Sequence, residues 1–257
     1  MSHENERHHI VAIEALHYQI PDFDIPVEYT KAIHRWTEPS ELVERIKDAT
    51  IVITTTIRLP SEALDVAVTP KLRLIVIMAT GTDCVDLAAA KARGIPVCNC
   101  PGSNVDSVSE HAIGLYFATR RKLVTLHNAT IAVPESLDRN TEWKMNGSLR
   151  PKMSRSDGLG PFLCSDETVA IIGYGMLGKR IEALAKALGM KVKIAERKGV
   201  APRGDRIAFE DALKESTVLF FVLATKPRNN QLDLDGRVTE NVASRFVDQC
   251  CKRRNCR

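Results

Sequence analysis

The stretch Val169-Ala170-Ile171-Ile172-Gly173-Tyr174-Gly175-Met176-Leu177-Gly178 decides the reading of this chain. Four apolar residues in a row, three of them β-branched, read as a strand buried on both faces. The glycines that follow have the spacing G-x-G-x-x-G. Gly173 allows a tight turn out of the strand, Gly175 has no side chain to block a ligand, and Gly178 lets the next helix lie close to the sheet. A helix that starts here aims unbonded N–H groups and its positive end at whatever sits over the turn, an arrangement that suits a pyrophosphate. Met176 and Leu177 supply the intervening positions. A helix is predicted over 179–188, with Ile181, Leu184, Ala185 and Leu188 on one face and Gly189 at its end. The second strand, Val192-Lys193-Ile194-Ala195, runs into Glu196. An acid about 20 residues past the first glycine is where a dinucleotide's adenosine ribose meets a carboxylate. Such an acid favours NAD, whereas Arg197 and Lys198, next in the chain, can instead pair with the 2′-phosphate of NADP.

Upstream, apolar runs alternate with helical patterns. Ile10-Val11-Ala12-Ile13, Ile51-Val52-Ile53, residues 72–77 and Ile95-Pro96-Val97 read as strands. Leu42, Val43 and Ile46 share a helix face after Ser40, and an Ala-rich helix over 86–93 stops at Gly94. One long helix is predicted over 108–126. Residues 134–166 are polar and irregular, so a surface insertion is expected at about 130–166. A short helix over 209–214 and a third strand over 218–222 complete the pattern. The fold class is therefore α/β, with two Rossmann-like, doubly wound parallel-sheet domains, the second incomplete. The expected organisation is 1–107 for a substrate domain, 108–232 for a dinucleotide-binding domain, and 233–257 for a divergent tail. In the strand order 3-2-1-4-5-6, a sheet that stops after three strands leaves 169–172 as an open edge.

Composition narrows the class of protein. Of 257 residues, 44% are hydrophobic and 26% charged, the balance of a soluble globular chain. No apolar run reaches the ~18 residues of a membrane span, and the first seven residues are too polar for a secretory signal. A cytoplasmic protein without a membrane partner is expected. The net charge of +4 is matched by Lys252, Arg253, Arg254 and Arg257 alone, so the body is balanced and no nucleic-acid partner is expected. Seven scattered cysteines suit reduced thiols. Cys250, Cys251 and Cys256 lack both a C-x-x-C pair and a nearby His, so no metal site is expected.

Further segments carry a family likeness. The run from Ala79-Thr80-Gly81-Thr82-Asp83 to Asp86-Leu87, then Arg93-Gly94-Ile95-Pro96-Val97, Pro101-Gly102-Ser103-Asn104 and Val108-Ser109-Glu110-His111, resembles the D-isomer-specific 2-hydroxyacid dehydrogenases, which include glycerate, phosphoglycerate and formate dehydrogenases. The resemblance covers roughly residues 10–230. It implies a small 2-hydroxy or 2-oxo acid as substrate, its carboxylate met by backbone amides of Thr80-Gly81-Thr82. It also implies a site between the two domains, with Asn104 and Val108 near a nicotinamide. Leu223 and Ala224, followed by Thr225, would border the cofactor, and a homodimer is compatible with the family habit.

Hydride transfer from an alcohol carbon also needs a group that takes the hydroxyl proton, commonly a His. The family places this His in a Pro-His pair near its C-terminus, supported by a Glu, and clamps substrate with an Arg in an Arg-Gly pair. All seven His here lie between positions 3 and 127, and Arg203-Gly204 falls between the second and third strands of the cofactor domain. No catalytic residue is identifiable. His111 and His127, on the predicted 108–126 helix and at its end, are weaker candidates. The expectation is an oxidoreductase lineage truncated at its C-terminus. The alternatives are an inactive NAD-binding interaction protein, like the C-terminal-binding corepressors, or a product without function.

Overall fold

The computed structural model describes residues 7–133 and 140–223. The chain divides into two compact units, Met1–Ser103 and Asn104–Arg257. The first holds β1 (His8–Ala12), β2 (Tyr29–Ile33), α1 (Leu42–Ile46), β3 (Ile51–Thr54), β4 (Leu74–Ile77), α2 (Leu87–Ala92) and β5 (Val97–Asn99). All its strand pairs are parallel, in the order β2-β1-β3-β4-β5. Side chains alternate across the sheet. Val11, Val52, Ile75 and Ile77 pack with Leu42 and Ile46 of α1 and Ala90 of α2 on one face, while Ile10, Ala12 and Ile53 pack with Ile20 and Phe23 on the other. Each such Ile or Leu, fully buried, contributes roughly 1.5–3 kcal/mol. Asp86 caps α2 by accepting hydrogen bonds from Ala88 and Ala89 N–H at 3.0 and 2.9 Å.

The strand order reverses between β1 and β3, where open α/β sheets bind ligands. Here the chain fills that crevice itself. Glu14, buried just past β1, accepts hydrogen bonds from the backbone N–H groups of Thr55, Thr56 and Ile57 after β3, and from the hydroxyls of Thr54 and Thr56. Burial pushes its pKa up, but the donors of Ile57, Thr56 and Thr55 outweigh that and hold it below the ordinary value.

The second unit holds α3 (Val105–Arg120), α4 (Leu123–Ile131), α5 (Glu142–Asn146), α6 (Arg150–Met153), β6 (Thr168–Ile172), α7 (Met176–Ala187), β7 (Lys191–Ala195), α8 (Phe209–Glu215) and β8 (Val218–Phe221). The parallel sheet runs β7-β6-β8, with Tyr116 of α3 and Ile181 and Ala185 of α7 on one face and Ala212 of α8 on the other. This corrects one expectation. Strand β6 is central rather than an open edge. The strand expected to be third lies across β6 from β7, in the fourth place of a 3-2-1-4-5-6 sheet. The third place is reduced to one parallel bridge, Ala195 with Ile207, in which Glu196 N–H donates to Ile207 O at 2.8 Å and Ile207 N–H to Ile194 O at 2.9 Å. A single bridge leaves no hydrophobic run to read.

Other boundaries also differ. The helix expected over 108–126 is two helices, broken at Lys122, which adopts a left-handed φ of 51°. That conformation costs roughly 1–2 kcal/mol in a non-glycine residue, and the Lys122 ammonium is anchored on Ser154 O at 2.8 Å. The strand expected at Ile95 begins at Val97 because Pro96 has no N–H for a ladder. The stretch read as irregular contains α5 and α6, each too short to show a helical period. Edge strand β2 carries polar Thr30 and Lys31 among its apolar residues and gave no clean alternation. Below the sheet, Glu167 is fully buried and accepts from Arg120 Nε at 2.6 Å and from the Thr217 and Tyr116 hydroxyls, tying the end of α3 to the starts of β6 and β8. Burial, followed by bonding to Cys164, pushes the Tyr116 hydroxyl up to about 12. No described helix is long and apolar enough to cross a membrane.

Candidate nucleotide-binding site

The glycine turn lies between β6 and α7, at the carboxyl end of the sheet, where the order reverses from β7 to β8. Gly173 has φ +98°, and a Cβ there would fall 2.1 Å from the carbonyl oxygen of Val222, just past β8. A Cβ on Gly178 would fall 2.4 Å from Gly173 O and 3.3 Å from Ile171 Cγ2, so helix and strand meet at a distance only glycine permits. Gly175 contrasts with both, since a Cβ on it would meet nothing within 4 Å. Two glycines are required by packing and the third faces open space, as a cradle for a ligand demands. Helix α7 begins at Met176 rather than at the expected 179, with Gly175 as its cap residue. Its first internal bond is Lys179 N–H to Gly175 O at 3.0 Å, and the N–H groups of Met176, Leu177 and Gly178 have no acceptor among the described residues. A pyrophosphate fits these donors. Leu223 borders the turn, with its Cδ2 3.3 Å from where a Gly173 Cβ would stand.

Glu196 follows β7 directly and is buried, 1% exposed. Its carboxylate accepts from Arg197 N–H at 3.0 Å, from Arg203 Nε and Nη2 at 2.8 and 3.1 Å, and from Arg206 Nη1 at 3.3 and 3.4 Å. The Arg203 guanidinium, then the Arg197 amide, hold its pKa at about 2 against the upward pull of burial. The Arg206 guanidinium also lies 5.8 Å from the ring centroid of Tyr174, the second residue of the glycine turn, whose hydroxyl donates to Glu182. Arg203 and Arg206 were not foreseen as site residues. Their signal was present in the four cations among the ten residues after Glu196.

The chain matches known proteins along most of its length. The model of the D-isomer specific 2-hydroxyacid dehydrogenase catalytic domain matches residues 13–253. The chain belongs to this family. It is 36% identical over 206 residues to glycerate dehydrogenase of Methylorubrum extorquens, covering 80% of this chain and 60% of that one. It is 30% identical to glyoxylate reductase of Thermococcus litoralis, over 77% of this chain and 59% of that one. The chain thus spans about three fifths of these relatives' length. Among solved structures, the D-lactate dehydrogenase of Aquifex aeolicus complexed with NAD and lactic acid matches with a TM-score of 0.62 and 22% identity, over 86% of this chain and 62% of that one. That likeness shows the fold, two parallel-sheet α/β units.

Within this family member, the other expected site residues are spread over both units. Thr80-Gly81-Thr82 follows β4 at the carboxyl end of the first sheet. Asn99 Nδ2 donates to Thr80 O at 2.7 Å, which ties the loop to the end of β5, and the N–H groups of Gly81 and Thr82 have no acceptor among the described residues. Asn104 is the cap residue of α3 and Val108 lies in its first turn, exposed. Asp106 in that turn pairs with Arg180 of α7 at 2.7 Å, so the starts of the two helices lie side by side. His111 and His127 are exposed on α3 and α4, and neither hydrogen-bonds to another described side chain. Ala224, Thr225, the tail 233–257 and its cysteines lie outside the described residues.

Proposed function

We propose that the chain is an NAD(P)-dependent oxidoreductase of the D-2-hydroxyacid dehydrogenase type, acting on the CH–OH group of a small 2-hydroxy acid or on the corresponding 2-oxo acid. The observation that carries this is the contrast at the glycine turn, where Gly173 and Gly178 are packed against backbone while Gly175 opens onto the donors of α7. In this reading the N–H groups of Met176, Leu177 and Gly178 hold the pyrophosphate, Glu196 and its arginines meet the adenosine ribose, and Leu223 and Ala224 border the bound dinucleotide. Asn104 and Val108 adjoin the nicotinamide, which when bound supplies the hydride donor or acceptor. The amides of Thr80-Gly81-Thr82 take the substrate carboxylate. Glycerate dehydrogenase and glyoxylate reductase among the relatives support an acid of two or three carbons. The same reading places the protein in the cytoplasm, in keeping with thiols at Cys84, Cys98, Cys100 and Cys164 that are not disulfide-bonded, and allows a homodimer.

Oxidation of NADH or NADPH at 340 nm with glyoxylate, hydroxypyruvate and pyruvate tests the reading. Dinucleotide binding with slight turnover of one of these acids is expected, because the proton-accepting His, its Glu and the substrate-clamping Arg are not identifiable in this chain. Binding with no turnover at all would leave a binding protein, and absence of binding would refute the assignment.

A further inference from the structure

The surroundings of Glu196 extend the dinucleotide assignment, on which this inference rests. We propose that the ribose corner selects a 2′-phosphorylated adenosine, so that the chain takes NADP(H) in preference to NAD(H), with Arg203 and Arg206 as specificity-determining residues. An acid at this place ordinarily favours NAD because its free oxygens accept the ribose hydroxyls and its charge repels a phosphate. Neither condition holds here. Oε1 accepts from Arg197 N, Arg203 Nη2 and Arg206 Nη1, and Oε2 from Arg203 Nε and Arg206 Nη1. A ribose hydroxyl must compete with these guanidinium donors, and wherever it displaces one it exchanges an ion pair for a bond from a neutral donor.

The charge balance points the same way. Two guanidiniums touch the single carboxylate, Arg197 and Lys198 are exposed beside it, and Asp205 is the other acid of the loop. The Arg203 side chain is 67% exposed, and its Nη1, like Nη2 of Arg206, has no acceptor among the described residues. Each guanidinium can therefore hold the carboxylate with one edge and offer the other to a phosphate, a division of donors that suits the planar fork. Contact with the Tyr174 ring fixes Arg206 beside the glycine turn, next to the proposed pyrophosphate.

The test is calorimetric titration of the full chain with NADPH, NADH, 2′,5′-ADP and 5′-AMP. The last two isolate the ribose corner from the nicotinamide half. NADPH and 2′,5′-ADP are expected to bind at least about tenfold more tightly than NADH and 5′-AMP, with the ratio shrinking as salt rises. Arg203→Ala, at an exposed position, should reduce the 2′-phosphate preference about tenfold and tighten NADH by freeing carboxylate oxygens. Arg206→Gln should also lower the preference, with a thermal melt confirming that it is folded. Equal or tighter binding of NADH and 5′-AMP overturns the proposal while leaving the dinucleotide reading intact. A preference unmoved by either variant overturns the residue assignment. Failure of all four ligands at millimolar concentration removes the dinucleotide reading and the proposal with it.

Discussion

Replacing Gly173 and Gly175 separately by Ala separates packing from ligand binding within one turn. At Gly173 the new Cβ would lie 2.1 Å from Val222 O and 2.7 Å from Val222 C, both backbone atoms that cannot rotate away, at φ +98°. The left-handed backbone costs roughly 1–2 kcal/mol in a residue with a Cβ. The forced separation of the β6 turn from the end of β8 adds roughly 1–3 kcal/mol. A loss of roughly 2–5 kcal/mol lowers the melting temperature by about 4–20 °C in a unit of this size. At Gly175 the backbone is extended and the Cβ meets nothing within 4 Å, so stability should stay within about 0.5 kcal/mol. Dinucleotide affinity should nevertheless fall about tenfold or more, because the methyl group would enter the space proposed for the pyrophosphate. Melting curves followed by NADH fluorescence titration read both effects. The reasoning fails if Gly175→Ala melts as low as Gly173→Ala, or if Gly175→Ala binds dinucleotide as well as the parent does.

Arg120→Met leaves the Glu167 carboxylate buried without its cation and should cost roughly 3–5 kcal/mol in urea unfolding; a loss under 1 kcal/mol would show that the Thr217 and Tyr116 hydroxyls suffice. Glu14→Gln weakens the bonds from Thr55, Thr56 and Ile57 and should lower stability at neutral pH by roughly 1.5–3 kcal/mol. Because the folded-state pKa of Glu14 is depressed, its contribution is complete above the ordinary 4.5 and fades as pH falls through the lower folded value. The gap between parent and variant should therefore close in acid, and a gap that widens there would contradict the assignment. Asp86→Ala removes the cap of α2 and should cost roughly 0.5–2 kcal/mol without changing dinucleotide affinity, as unfolding and titration together will read.

Most of the sheet was legible because central parallel strands are apolar on both faces. The runs at Ile10, Ile51 and Val169 announce themselves, and the glycine turn and Glu196 stand where the sequence put them, after β6 and after β7. What escaped had a local cause. Lys122 breaks a helix without Gly, Pro or Asn, because a contact to Ser154 holds its left-handed backbone. The third strand position is a two-bond bridge at Ile207, so the order of the second sheet was misassigned although β6, β7 and β8 were each found, and in the first sheet the half-polar edge strand β2 was missed. The partners of Glu196 escaped for a different reason. Sequence spacing places a carboxylate at the end of β7, but only the return of the loop through Arg203 and Arg206 shows that its oxygens are already engaged.

A crystal structure of the chain with NADPH or NADH tests the central claim most directly. Pyrophosphate oxygens are expected about 2.7–3.2 Å from the backbone nitrogens of the first turn of α7, with the adenosine ribose at the Glu196 corner. A dinucleotide seated away from the open side of Gly175, with those N–H groups untouched, would contradict it.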